Sequence, residues 1–197
     1  MLLVKLYAEH IISTKKAEID EDLPENIPEL MLTYLNDLNR KAEAGDPDHE
    51  TVHSSAQIIA WQCLRKTLRP IPAIRSEVLS ALGEEKGRTL LKYLEDKLKV
   101  VQTIGIRRDI RFTLDPLAEY LSCLHLISQY RDHEEQWRDL LTTIDRQDGM
   151  SGTIIGFLLA LRDCSLTKGL GIVPPFLAEE VARRIEVNGN ESPKEPS

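Results

Sequence analysis

The hydrophobic period of this chain is helical nearly from end to end and breaks in one place. That break constrains the fold more than any other feature, because a strand buries every second residue and a helix every third or fourth. Val100-Val101-Gln102-Thr103-Ile104 is β-branched and reads as a strand, and Ile110-Arg111-Phe112-Thr113-Leu114 alternates as a second. Gly105 to Asp109 separates them as a turn, so the pair predicts one hairpin in an otherwise helical chain.

The surrounding helices follow from apolar stripes and stop signals. A first helix is expected over Leu2 to Ile12, then a charged linker from Ser13 to Glu25. Asn26-Ile27-Pro28-Glu29 places an N-cap three residues before a Glu, with Pro in the first turn, and opens a helix carrying Leu30, Met31, Tyr34, Leu35 and Leu38. Lys41 to Asp48 is a loop turning at Gly45-Asp46-Pro47. Helices are expected over Ser54–Leu68, Ala73–Leu82 and Glu85–Leu98, the first broken by Arg69-Pro70-Ile71-Pro72 and the second by Gly83. After the hairpin, Asp115 caps and Pro116 starts a helix, followed by others near Glu134–Ile144, Thr153–Asp163 and Pro175–Ile185. The last is expected to carry Glu179/Arg183 and Glu180/Arg184 pairs, and Val187 to Ser197 reads as a disordered tail.

With 197 residues, 42% hydrophobic and 29% charged, the chain is long enough and apolar enough for a real core. The fold class is mainly α: a helical bundle containing a winged helix-turn-helix with one small β-hairpin, since three helices followed by two strands is the order of that unit. The divisions expected are 1–48, a helical segment; 49–114, the winged helix; 115–186, a C-terminal helical segment; and the tail 187–197.

Net charge is −7, which argues against a generic polyanion binder. The distribution is uneven. Trp61 to Leu114 holds 12 Lys/Arg against 6 Asp/Glu, a net of +6, leaving 13 against 26 elsewhere, a net of −13. Lys86, Arg88, Lys92 and Lys97 lie on the third helix of the unit, and Arg107, Arg108 and Arg111 on or beside the hairpin turn. This face suits docking on a partner or a local nucleic-acid surface. Glu84, Glu85, Glu95, Asp96 and Asp109 are interspersed and would repel a phosphate backbone, so a DNA-binding regulator is the second choice.

Motifs that carry chemistry are sparse. His49-Glu50-Thr51-Val52-His53 matches HExxH, a spacing that puts two imidazoles on one helix face with a Glu to activate a zinc-bound water. Gly45-Asp46-Pro47-Asp48 directly precedes it, which places His49 in a loop or cap, and no obvious third-ligand motif follows, so no metal is expected and a zinc hydrolase through His49, Glu50 and His53 is the third choice. Gly83-Glu84-Glu85-Lys86-Gly87-Arg88-Thr89 faintly resembles a phosphate loop but lacks its spacing, its Lys and its preceding strand. Cys63, Cys123 and Cys164 are far apart among apolar residues and read as reduced, buried thiols. His10, His125 and His133 form no catalytic set with a nucleophile, and no enzyme activity is expected. The opening Met1-Leu2-Leu3-Val4 lacks a cleavage site, and the apolar run Thr153–Leu161 is too short to span a bilayer, so a cytoplasmic location without a membrane partner is expected.

Phe112-Thr113-Leu114-Asp115-Pro116-Leu117-Ala118-Glu119-Tyr120-Leu121, within Arg111 to Leu126, resembles the end of the winged-helix domain of NACHT-type STAND NTPases, particularly those of cyanobacteria. Leu2–His10 with Ile27–Arg40 looks like the helical lid that follows their NTPase core. Ala60–Leu64 and Leu91–Val101 look like the winged-helix body, and Gly156–Cys164 with Val173–Arg184 like the chain ending.

The resemblance implies a larger parent: an effector or sensor region and a P-loop NTPase core that binds ATP or ADP. This stretch would dock on that core and control a closed-to-open switch in bacterial stress or defence signalling. It allows for homo-oligomers as well. No Walker motif occurs here, so the chain is expected to hold no cofactor and to hydrolyse no nucleotide alone. Many NACHT winged helices carry a phosphate-contacting His two residues after the Phe matching Phe112. Here Leu114 stands there, and Leu cannot donate to a phosphate, so nucleotide coupling would run through packing, with Arg107, Arg108 or Arg111 as polar contacts.

Overall fold

The computed structural model describes residues 24–146 and 154–189. The expected first helix Leu2–Ile12, the linker up to residue 23 and the tail beyond 189 lie outside the described residues. Within them the protein is mainly α-helical with a single two-stranded antiparallel hairpin, as the period change implied.

The first described helix, α1, spans Ile27–Asn39. Asn26 caps it, its Oδ1 accepting from the Glu29 backbone N–H at 2.9 Å. Glu29 reaches back one residue further than a standard box, accepting from the N–H of Glu25 at 2.9 Å. The next helix, α2 (His49–Leu64), starts five residues earlier than the apolar stripe suggested. Asp48 is the cap, taking the Thr51 N–H at 2.8 Å, and that bond holds the Asp48 carboxyl below its usual range. His49 is therefore the first helical residue, not a loop residue.

Past α2 the chain turns through Leu68, at φ +54°, into the Pro70–Pro72 segment. Helices α3 (Arg75–Leu82) and α4 (Glu84–Lys92) meet at Gly83, whose φ of +81° a side chain would resist. The third helix does not run straight to Leu98. It widens into a π turn over Tyr93–Lys97, with Leu98 N–H bonded to the Tyr93 carbonyl at 3.2 Å.

Strands β1 (Val101–Ile104) and β2 (Asp109–Phe112) pair with Val101 opposite Phe112 and Ile104 opposite Asp109. Ile110 and Phe112 are buried while Arg111 between them is exposed, so the alternation read from sequence is realised. Ala73, between α2 and α3, bridges Ile110 through two backbone bonds of 2.8 Å and lines the outer edge of the hairpin.

The remaining helices are α5 (Asp115–Tyr130), α6 (Glu134–Arg146), α7 (Ile155–Leu166) and α8 (Phe176–Gly189). Leu114, not Asp115, occupies the N-cap of α5 and makes no side-chain cap bond, while Asp115 lies 3.5 Å from the Arg111 guanidinium. On α8, Glu180 takes both Arg183 and Arg184, and Arg184 also reaches Asp145 of α6 at 2.7 Å. Helix α2 packs chiefly on α5, α5 on α7, and α7 on α8, while α1 lies across α2, α5 and α7. Met31, Ile59, Phe112, Leu121, Phe157 and Leu177 belong to one continuous buried cluster, so the hairpin unit and the C-terminal helices share a core.

Candidate docking face

The hairpin is held to the rest of the unit by side-chain clamps as well as by its ladder. Glu95, in the π turn, accepts from the Thr103 backbone N–H at 2.6 Å and from its hydroxyl at 3.0 Å. This carboxylate, read from sequence as repelling a phosphate backbone, is spent on the hairpin. The Val100 N–H bonds the Leu94 carbonyl at 3.1 Å, and the Cys63 thiol faces the Ile110 carbonyl at 3.6 Å. Below the π turn, the Tyr93 hydroxyl donates to Asn39 Oδ1 at 2.6 Å, and Asn39 donates in turn to the Pro47 carbonyl at 3.1 Å. The end of α1, the loop before α2 and the root of the hairpin are thereby one buried network.

The six cations singled out from sequence fall on two elements. Lys86, Arg88 and Lys92 are exposed on α4, and Arg107, Arg108 and Arg111 are exposed on the hairpin. Three of them are ion-paired within the chain: Arg88 with Glu84 at 3.3 Å, Arg107 with Asp109 at 3.0 Å, and Arg111 with Asp115 at 3.5 Å. Lys86, Lys92 and Arg108 make no ion pair among the described residues. Lys86 lies near enough to Asp48 to help lower its pKa. At the tip, Gly105 (φ +66°) and Arg108 (φ +57°) close the turn, with the Arg108 N–H on the Gly105 carbonyl at 3.1 Å. Ile106 at the tip is fully exposed. Nothing in its sequence surroundings marks it beyond its place between Gly105 and Arg107.

The HExxH residues are helical but not gathered. His49 and Glu50 are exposed on the first turn of α2, whereas His53 is half-buried, its pKa lowered chiefly by burial and its Nε2 without a hydrogen-bond partner. Among the described residues no three His, Cys, Asp or Glu side chains come together as a metal would require. The cysteines are buried and free; burial pushes the Cys63 thiol up to about 12 and raises the Cys123 and Cys164 thiols as well, which disfavours the reactive thiolate at all three. Among the described residues no helix is long and apolar enough to cross a membrane. Leu114 is half-buried against the core.

Sequence reasoning missed the polar contacts between distant helices. Tyr120 on α5 donates to Asp163 on α7 at 2.6 Å, and Arg162 holds the other oxygen of Asp163 at 2.8 Å. Glu119 is pressed against Gly156 in the first turn of α7, and burial, with Asp115 nearby, raises its pKa to about 7. A groove of about 570 Å³ opens between the start of α1 and the end of α7, where Leu166 is exposed.

Residues 146–188 match the family model described as NACHT C-terminal Helical domain 4. That stretch includes α7 and nearly all of α8, the helices that pack on each other and, through α7, on α5. No curated protein and no solved structure matches the chain.

Proposed function

We propose that this chain, which carries a NACHT-type C-terminal helical region, is a regulatory docking module of a NACHT NTPase. It does no chemistry and holds no cofactor itself; ATP or ADP belongs to the P-loop core of the parent. The observation that carries this reading is the match over 146–188 together with the shared core that fuses α7 to the hairpin unit. Helix, bridging residue, two further helices and a hairpin, in that order over 49–112, support the winged-helix assignment.

In this reading Lys86, Lys92 and Arg108 contact the NTPase core in its closed state, and packing around Leu114 replaces a direct phosphate contact. Because the unit and the C-terminal helices share one core, they move as a body when the core releases them. A ligand on the NTPase shifts that equilibrium only by its differential affinity for the two states, so a few kcal/mol of docking contact is enough to matter.

The test is association of the full chain with the separately expressed P-loop core encoded in its own reading frame, in ADP and in ATP. Binding in one nucleotide state that Lys86→Glu/Arg108→Glu weakens supports the reading. The same three cations favour a second reading, a DNA-binding regulator using α4 and the hairpin. A salt-dependent DNA shift that Arg107→Ala/Arg108→Ala abolishes would establish it instead.

A further inference from the structure

A recess of about 340 Å³ lies between the end of α2 and α6. Half-buried Trp61 and Tyr130 line it together with the buried Leu68 and Leu140. The Tyr130 ring meets Trp137 edge to face at 5.1 Å, and the Trp137 indole is tied to the Arg131 carbonyl at 2.8 Å. That wall is therefore fixed before anything binds.

The polar groups around the recess are unspent. Among the described residues the Trp61 indole N–H, the Tyr130 hydroxyl, the Gln136 amide and the Asp139 carboxylate make no hydrogen bond or ion pair. Burial, and then the Asp139 carboxylate, raise the Tyr130 hydroxyl above its usual range, so Asp139 lies near that ring. Arg65 also lines the recess and is held by Glu77 at 2.9 Å. Half-buried Trp and Tyr normally give their polar tips a partner. Two that do not, facing one cavity beside a free carboxylate, form an apolar pocket with convergent polar groups, which is the make-up of a ligand site.

The lining also selects the ligand. Aromatic walls favour a flat ring that stacks on them. A free carboxylate offers two acceptor oxygens and matches two adjacent N–H donors. A guanidinium has such donors, but it would meet the Arg65 cation, and with Asp139 opposite Arg65 the lining carries no net charge to attract it. An uncharged ring with paired donors fits better. We infer that this recess binds a guanine-type heteroaromatic ring, stacked on Trp61, with its ring N–H and adjacent exocyclic amine paired to Asp139. Guanine and pterins share that edge. Adenine sets a ring acceptor beside its amine, and that acceptor would face the carboxylate. The volume is at the small end for ligand sites and suits one ring system. The inference does not depend on the docking reading above.

The test titrates guanosine, neopterin, adenosine and agmatine separately into the full chain. The Trp61 indole N–H is followed by NMR and assigned by its loss in Trp61→Phe. Guanosine or neopterin should move that resonance saturably with a Kd below about 1 mM, and the tighter of the two identifies the source of the ring. Adenosine and agmatine should bind at least about tenfold more weakly, and Asp139→Asn should weaken the better ring by about tenfold or more. Asp139 is exposed, so an unchanged thermal melt confirms that the variant folds. No saturable shift with either ring up to about 1 mM overturns the inference. So does adenosine or agmatine binding as tightly as the rings, or an Asp139→Asn chain that binds like the parent.

Discussion

Tyr120 donates its hydroxyl to Asp163 at 2.6 Å, and this bond joins α5, which carries the hairpin unit, to α7 in the NACHT-type helical region. The acceptor is charged and the donor buried, so Tyr120→Phe forfeits a strong hydrogen bond while keeping the ring. The expected loss is about 1.5–3 kcal/mol of unfolding free energy in urea, with an unchanged m-value. A loss confined to α7 and α8 by hydrogen exchange, with the global value untouched, would mean that the two parts do not unfold together.

Glu119 ties stability to pH. Its carboxyl is raised from 4.5 to about 7 in the folded chain, chiefly by burial and then by Asp115. The folded state therefore binds the proton more tightly than the unfolded one. That contribution is complete below the unfolded value and is lost as pH rises through about 7. Glu119→Gln, neutral at every pH and nearly the same shape against Gly156, should remove the decline between about pH 5 and pH 8 in denaturation midpoints. A wild-type midpoint that is flat across that window contradicts the burial of the charge.

The hairpin was legible because Ile110 and Phe112 alternate with exposed Arg111, a pattern only a strand can use. The π turn was not, because Leu91, Leu94 and Leu98 satisfy the buried face of a straight helix and of a widened one alike. The true start of α2 was hidden by Pro47 and by the polarity of His49 and Glu50, although Asp48 three residues before Thr51 is an ordinary capping arrangement. Glu119 reads as one more surface carboxylate, since its burial comes from a helix that begins 36 residues later at Ile155. Among the six cations, sequence located the elements, but not that Arg88, Arg107 and Arg111 are neutralised by Glu84, Asp109 and Asp115.

Glu95 makes two bonds to Thr103 and anchors the hairpin to the π turn. Glu95→Ala leaves the Thr103 amide without its acceptor. Amide exchange at Thr103 should rise while the ladder partners in the core change little, with about 1–2 kcal/mol lost globally. Equal exchange in the variant and the parent would show that the ladder alone fixes the hairpin.

Arg131 closes α5 at φ +49°, a conformation that costs a side chain energy and a glycine almost none. Its carbonyl accepts from the Trp137 indole at 2.8 Å, a main-chain role that glycine keeps. Arg131→Gly should therefore raise stability by about 1 kcal/mol in thermal or urea unfolding. A fall of similar size would mean that the guanidinium is worth more than the strain.

The docking reading stands on one comparison: the affinity of the full chain for the P-loop core of its own reading frame, measured by calorimetry in ADP and again in ATP. The account requires binding that differs between the two nucleotides by about tenfold or more and weakens on Lys86→Glu/Arg108→Glu. Equal affinity in both nucleotides, or none in either, would contradict it.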